Sequence, residues 1–305
     1  PRTSSAASDV YKRQIIYGVD FSSAPTKQKP IVIAECRFDS CNNYGLNQSS
    51  LLLKRFVLIY SLNDFETFLS KSKFGVGGFD LPFSMPKELI EYFKWPNDWG
   101  TFVRFFCEKS KPFLKDCFKS WCEKRDFGKK FAYRLTDLQA KSSPAMRWVN
   151  PPVAWMMHAG MQRLINAGLI FPAHDRNFQT KTEHKLIKSM ELKGIGYNKK
   201  LALEVYPALT ARKVTNNSYK SDDKVKNNPA RIGNRKDILK SLRYQKAGLS
   251  LDLKISLHYQ KKVVEDFRGD YLDAVICAMQ AADAIMDPFF RFQKTNNYLE
   301  GWIVG

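Results

Sequence analysis

The sequence predicts an α/β protein: one mixed β-sheet flanked by helices, with a large helical insertion between the fourth and fifth strands. Three observations carry this. Residues 15–80 read as strand, strand, strand, helix, strand, and the first and last of these strands end on an acid, Asp20 and Asp80. Residues 86–200 are mostly helical or irregular. A fifth strand and a run of helices follow, the last of them rich in alanine.

Each element has its own signal. Ile15-Ile16-Tyr17-Gly18-Val19-Asp20 is an apolar run delivering a carboxylate at its tip, as a buried strand does. Residues 30–38 contain Ile31-Val32-Ile33-Ala34 and form the second strand, and residues 54–59 the third. Asn63-Asp64 is an N-cap signal for a helix over 65–72, with Glu66 in the favourable first turn. Residues 74–80 return to strand. Residues 101–124 carry apolar side chains at helical intervals, and Pro112 kinks or splits that helix. Pro151-Pro152 opens a helix over 153–167 that Gly168 stops. Residues 178–200 are polar and basic and read as a surface excursion. Leu201-Ala202-Leu203-Glu204-Val205 is the fifth strand, and helices are expected over 229–246, 251–267 and 270–286.

A chain of 305 residues can bury a sizeable core, and 44% hydrophobic with 13% aromatic residues argues against disorder. The outlying quantity is charge, 49 Lys and Arg against 30 Asp and Glu, a net +19. That excess calls for an anionic partner, nucleic acid first and an anionic membrane surface second. The longest apolar stretches are too short to span a bilayer, and no signal-peptide pattern opens the chain. The six cysteines lack CxxC pairs and zinc spacing, which reads as reduced thiols in a cytoplasmic protein. Asp9-Val10-Tyr11-Lys12-Arg13-Gln14 resembles the translation of a transposon-end sequencing adapter. Residues 1–14 are therefore set aside as read-through; they carry a net +2, so +17 belongs to residues 15–305, read as a single domain with its helical insertion over about 86–198.

Five carboxylates stand where an apolar element ends or a helix should be buried. Asp20 and Asp80 end strands, Glu204 lies late in one, and Asp270 and Asp273 share a face of the last helix. Buried carboxylates are costly unless paired or metal-bound. Mg²⁺ or Mn²⁺, which prefer oxygen ligands, would relieve their repulsion, and two such ions can serve both oxygens of a phosphodiester displacement. Taken singly, each acid reads as a cap, a turn residue or a salt-bridge partner; the order of the elements turns the reading toward a shared site.

Gly18-Val19-Asp20-Phe21-Ser22-Ser23-Ala24-Pro25, Gly78-Phe79-Asp80-Leu81-Pro82-Phe83 and Leu203-Glu204-Val205-Tyr206-Pro207 resemble the motifs of a family of predicted nucleases with an RNase H fold, domain of unknown function 429. Tyr219-Lys220-Ser221-Asp222, the Asp270–Ala278 segment and Glu300-Gly301-Trp302-Ile303 resemble its later blocks, in order. The resemblance implies an RNase H-like (ribonuclease H-like) sheet and a divalent-metal-dependent hydrolase acting on DNA or RNA. Carried over residue by residue, Asp20, Asp80, Glu204 and Asp273 become the metal-binding catalytic acids, with Asp270 an alternate or additional ligand. Asp20 and Glu204 pointing to different sides of the sheet would defeat the enzyme reading.

Lys220 is a candidate for contact with the scissile phosphate or with a site carboxylate, and Ser22 and Ser23 for donation to phosphate. Arg134, in Arg134-Leu135-Thr136-Asp137, and Tyr206 are candidates for substrate positioning. The four histidines show no paired spacing. Two other functions compete: a non-catalytic nucleic-acid-binding protein whose acids are structural, and an actin-like ATP-dependent phosphotransferase. The second is disfavoured because no glycine-rich phosphate loop follows Asp20.

Overall fold

The computed structural model describes residues 15–43, 46–175, 200–287, 290 and 297–305. Its centre is a seven-stranded mixed sheet of β1 (Ile15–Asp20), β2 (Ile31–Asn43), β3 (Leu46–Ile59), β4 (Val76–Asp80), β5 (Leu201–Val205), β6 (Leu251–Lys254) and β7 (Ile303–Val304), in the order β6-β3-β2-β1-β4-β5-β7. β2 is antiparallel to β1 and β3, while β1–β4, β4–β5, β5–β7 and β3–β6 are parallel pairs. The carboxyl ends of β1, β4, β5 and β7 therefore meet at one edge, where open α/β sheets form their crevices.

Helices cover both faces. On one side lie α1 (Leu62–Lys71), α2 (Lys87–Tyr92), α3 (Trp99–Glu108), α4 (Lys111–Glu123), α5 (Leu135–Ala140) and α6 (Val153–Asn166), packed on an aromatic core that includes Phe65, Phe79, Phe102, Phe106, Phe118 and Trp121. α7 (Pro207–Ala211), α8 (Pro229–Arg243), α9 (Leu257–Glu265) and α10 (Asp270–Ile285) follow β5, and α10 lies along β1, β2 and β4 on the other face. The contact is close because two strand positions lack a side chain. A Cβ on Gly18 would stand 2.0 Å from the Ala274 carbonyl oxygen, and one on Gly78 2.5 Å from that of Cys277. Ala274, Ala278 and Ala281 complete the fit, each fully buried. Glycine on the strands and alanine on the helix thus bring the first turn of α10 over the tips of β1 and β4.

The sheet is larger than the sequence signals. The second and third strands continue past residue 38 and begin before residue 54, pairing as a long hairpin out to Asn43 and Leu46. The tip is polar, so apolar periodicity does not mark it. Leu251–Lys254 is strand, not helix; only 257–265 of that segment is helical, started by Ser256, whose hydroxyl accepts from the Tyr259 amide. β7 is a two-residue strand with no sequence signal. The cap of α1 is Ser61, whose side chain accepts from the Asp64 amide, so Asn63 and Asp64 lie inside the helix. Ser110 caps α4, with Pro112 in its first turn, so the 101–124 segment is two helices. Residues 1–14 and nearly all of the expected 178–200 excursion lie outside the described residues. Cys36, Cys107, Cys117, Cys122 and Cys277 are free thiols. No helix among the described residues is long and apolar enough to cross a membrane.

Candidate active site

Strand register decides which acids can meet. Asp20 pairs with Asp80 across β1 and β4, so both side chains leave the sheet on the same face, as do Gly18 and Gly78 beneath α10. Asp270 and Asp273 occupy the first turn of α10. Asp273 is 1% exposed and doubly held: the Tyr219 hydroxyl donates to Oδ1 at 2.6 Å, and the Lys220 ammonium contacts Oδ2. Although 43% of the Lys220 side chain is exposed, its charged end is turned inward to that carboxylate. Asp20, Asp80, Asp270 and Lys220 line a cleft of about 720 Å³ at the carboxyl ends of the strands. Ser22, Ser23 and Tyr206 line it too.

The cluster is short of positive charge. Removal from water, then Asp270 and Asp273, push the Asp20 carboxyl well above its ordinary range, with Lys220 pulling the other way. Asp80 is pushed up to about 7 by burial, with Lys220 opposing and Asp273 and Glu204 adding to the rise. Asp270 also reaches about 7, from burial and then the neighbouring Asp266 and Asp273. Burial works against the Lys220 ammonium, yet Asp273 and the other acids hold its pKa well above the ordinary lysine value. These groups sit in a cleft and perturb one another, the pattern expected of functional carboxylates.

Glu204, with Arg134, lines the same cleft from the other face of the sheet. It pairs with Phe79, one residue before Asp80, and so projects from the opposite face, the side of the aromatic core. There Arg134 donates to both its oxygens, at 2.8 and 2.6 Å, and the Phe83 amide adds a bond at 3.0 Å. The expected set of Asp20, Asp80, Glu204 and Asp273 therefore fails, and Glu204 is removed from the ligand group. On the other face Asp20 and Asp80 lie near enough to Asp270 and Asp273 for the acids to raise one another's pKa.

Arg134 is likewise reassigned. It is 1% exposed, and its five donors are spent on Asp137, Glu204 and the Glu300 carbonyl, which leaves none for a substrate. Asp137 also accepts from the Ser142 hydroxyl at 3.1 Å and the Ala145 amide at 3.3 Å. Glu300 accepts from the amides of Lys87 and Leu135, the first residues of α2 and α5, at 2.7 and 3.1 Å. Tyr219 and Glu300 belong to the motif blocks, but their roles depend on partners far away in the chain.

The carboxylate oxygens of the α10-side cluster are the donor type that Mg²⁺ and Mn²⁺ take. With Lys220 against Asp273, no group of three or more His, Cys, Asp or Glu side chains among the described residues is gathered closely enough to hold an ion. Comparison with protein-family models, with curated proteins and with solved structures returns no match.

Proposed function

The enzyme reading built on Glu204 fails by its face of the sheet; we propose instead, on Asp20, Asp80 and the acids of α10, that this chain is a divalent-metal-dependent nuclease on an RNase H-like fold, hydrolysing phosphodiester bonds of DNA or RNA. The observation that carries this is the Asp20–Asp80 pair at the tips of two adjacent parallel strands, faced by Asp270 and Asp273 with Lys220 against them. The fold supports it through the strand order β3-β2-β1-β4-β5, with β2 antiparallel and an acid at the ends of β1 and β4. The net +17 of residues 15–305 supports a polyanionic substrate.

Asp20 and Asp80, with Asp270 or Asp273, would hold Mg²⁺ or Mn²⁺, one ion or two. Ions bound there would supply Lewis-acid stabilisation of the phosphoryl oxygens. The chain's own groups do the rest. Lys220 offsets part of the carboxylate charge and stands close enough to meet a phosphate entering the cleft. Ser22 and Ser23, beside Asp20, orient the phosphate by hydrogen bonding. The Arg134–Asp137–Glu204–Glu300 network holds the helical insertion against the strand ends and so shapes the cleft wall.

The test is cleavage of labelled single- and double-stranded DNA and RNA with Mg²⁺, Mn²⁺ or EDTA. Metal-dependent cleavage by the wild type, abolished in Asp20→Asn and Asp80→Asn, is expected; cleavage unchanged in both variants would sink the site. The competing reading is a non-catalytic nucleic-acid-binding protein, favoured by the ion pair that already satisfies Asp273. It predicts salt-sensitive binding with no turnover in any metal.

A further inference from the structure

A second concave surface lies away from the cleft, between α8 and α9. Its volume is about 460 Å³, and Lys236, Lys240, Arg243 and Lys261 line it, with Tyr244 at one end. Lys236, Lys240 and Arg243 are spaced four and three residues apart, so they form one stripe on α8. Lys240 and Arg243 lie in the last turn of α8, where a cation is favourable for the helix itself. Lys236 and Lys261 have no such reason. Glu265 is the one carboxylate lining the groove and is 3.8 Å from Lys261. Neither Lys236 nor Lys240 has a carboxylate within ion-pair distance among the described residues. Tyr244 is 55% exposed, with the Arg243 guanidinium 5.5 Å from its ring centre.

The groove is mechanically continuous with the cleft. Arg235, on the inward face of α8, donates to the carbonyl of Tyr219 at 2.6 Å and to that of Val264 at 2.8 Å. One buried guanidinium thus ties α8, α9 and the Lys220 loop together. From the end of α9 the chain runs to Arg268, which lines the cleft with Lys29. Cations thus line both concave surfaces, Lys29, Lys220 and Arg268 in the cleft and Lys236, Lys240 and Arg243 in the groove.

We propose that the α8–α9 groove binds the sugar-phosphate backbone of a nucleic-acid strand whose neighbouring segment occupies the cleft, with Tyr244 as a stacking surface for a base. The partner is a polyanion with planar bases, for which unpaired cations beside an exposed aromatic ring are the fitting chemistry. This rests on the nucleic-acid reading of the cleft but does not need cleavage.

The test is binding of a labelled single-stranded oligonucleotide by fluorescence anisotropy in EDTA, over a range of salt. The triple variant Lys236→Gln, Lys240→Gln, Lys261→Gln is compared with Lys111→Gln, Lys115→Gln, Lys119→Gln, which makes the same charge change on α4. The groove variant should bind on the order of tenfold or more weakly, with the slope of log affinity against log salt reduced by about two, roughly 0.7 for each phosphate no longer neutralised. Tyr244→Ala should weaken binding with the salt slope unchanged. Equal losses in the two triple variants would overturn the proposal, since net charge alone then acts. Unchanged binding in the groove variant would overturn it while leaving wild-type cleavage, and hence the nuclease reading, standing. Binding without metal-dependent cleavage would remove the nuclease reading and leave the groove. Wild-type binding to anionic phosphatidylserine vesicles but not to the oligonucleotide would overturn both.

Discussion

Arg134 holds both oxygens of Glu204, at 2.8 and 2.6 Å, and each side chain is 3% exposed or less. Removing Arg134 leaves two buried carboxylates without a counter-charge, whereas removing Glu204 leaves Arg134 paired with Asp137. Arg134→Met strands Glu204 and Asp137 together, and a loss of about 3–5 kcal/mol is expected. Glu204→Gln costs less, since Arg134 keeps Asp137. Urea denaturation measures both. A Glu204→Gln protein of wild-type stability that has lost all cleavage would return Glu204 to the catalytic set.

The acids of the cleft should behave oppositely. A folded-state pKa raised to about 7 means that the charged Asp80 side chain costs stability in the fold. The folded protein binds the extra proton between the ordinary aspartate value of about 4 and about 7, so Asp80 costs nothing below that window and its cost grows as pH rises through it. Asp80→Asn should therefore gain of order 1–3 kcal/mol near neutral pH while losing cleavage. A destabilised Asp80→Asn would mean that the acid is structural.

Lys220 neutralises part of the same cluster, so its removal should be felt through the acids. Lys220→Met is expected to lower the thermal midpoint near neutral pH. Saturating Mg²⁺ or Mn²⁺ should then raise that midpoint more in the variant than in the wild type, because a ligand stabilises the state that binds it. Equal shifts in the two proteins, or no shift in either, would count against an ion bound at these carboxylates.

How much of this could be read from the chain depends on whether the signal is local. Asp20 and Asp80 are visible because an apolar run that ends on an acid is a local pattern. The face of Glu204 is not visible, because it depends on pairing with Phe79 rather than Asp80, a one-residue choice of register between strands over a hundred residues apart. Arg134 carries the same lesson: its place in a motif marks it as important, but its partner lies 70 residues away. The strand at Leu251–Lys254 is only four residues long and abuts an amphipathic helix, so helical periodicity masks it. The Gly18 and Gly78 contacts with α10 are equally invisible as spacing, yet they set how near Asp270 and Asp273 come to the strand tips.

His174 provides a pH test remote from the acids. Its Nδ1 donates to the Tyr298 carbonyl at 2.7 Å, and its ring stacks on Trp99 with centroids 4.2 Å apart. Nε2 is buried without a hydrogen-bond partner, next to Gly301, where a Cβ would stand 2.4 Å from it. A second proton would place an N–H where nothing accepts it, and burial lowers the pKa from 6.5 to about 3. Because the unfolded chain protonates first, this contribution to stability is full above about 6.5 and is lost as pH falls toward about 3. The loss approaches about 1.4 kcal/mol per pH unit inside that window. Asp80 contributes a slope of opposite sign between about 4 and 7, so the wild-type profile alone does not isolate the histidine. His174→Phe does, since phenylalanine keeps the stack on Trp99 and cannot take up a proton. Denaturation midpoints measured across this range should diverge, with the wild type losing stability relative to His174→Phe as pH falls. Parallel profiles would mean that the imidazole is protonated in the fold and that Nε2 has found an acceptor.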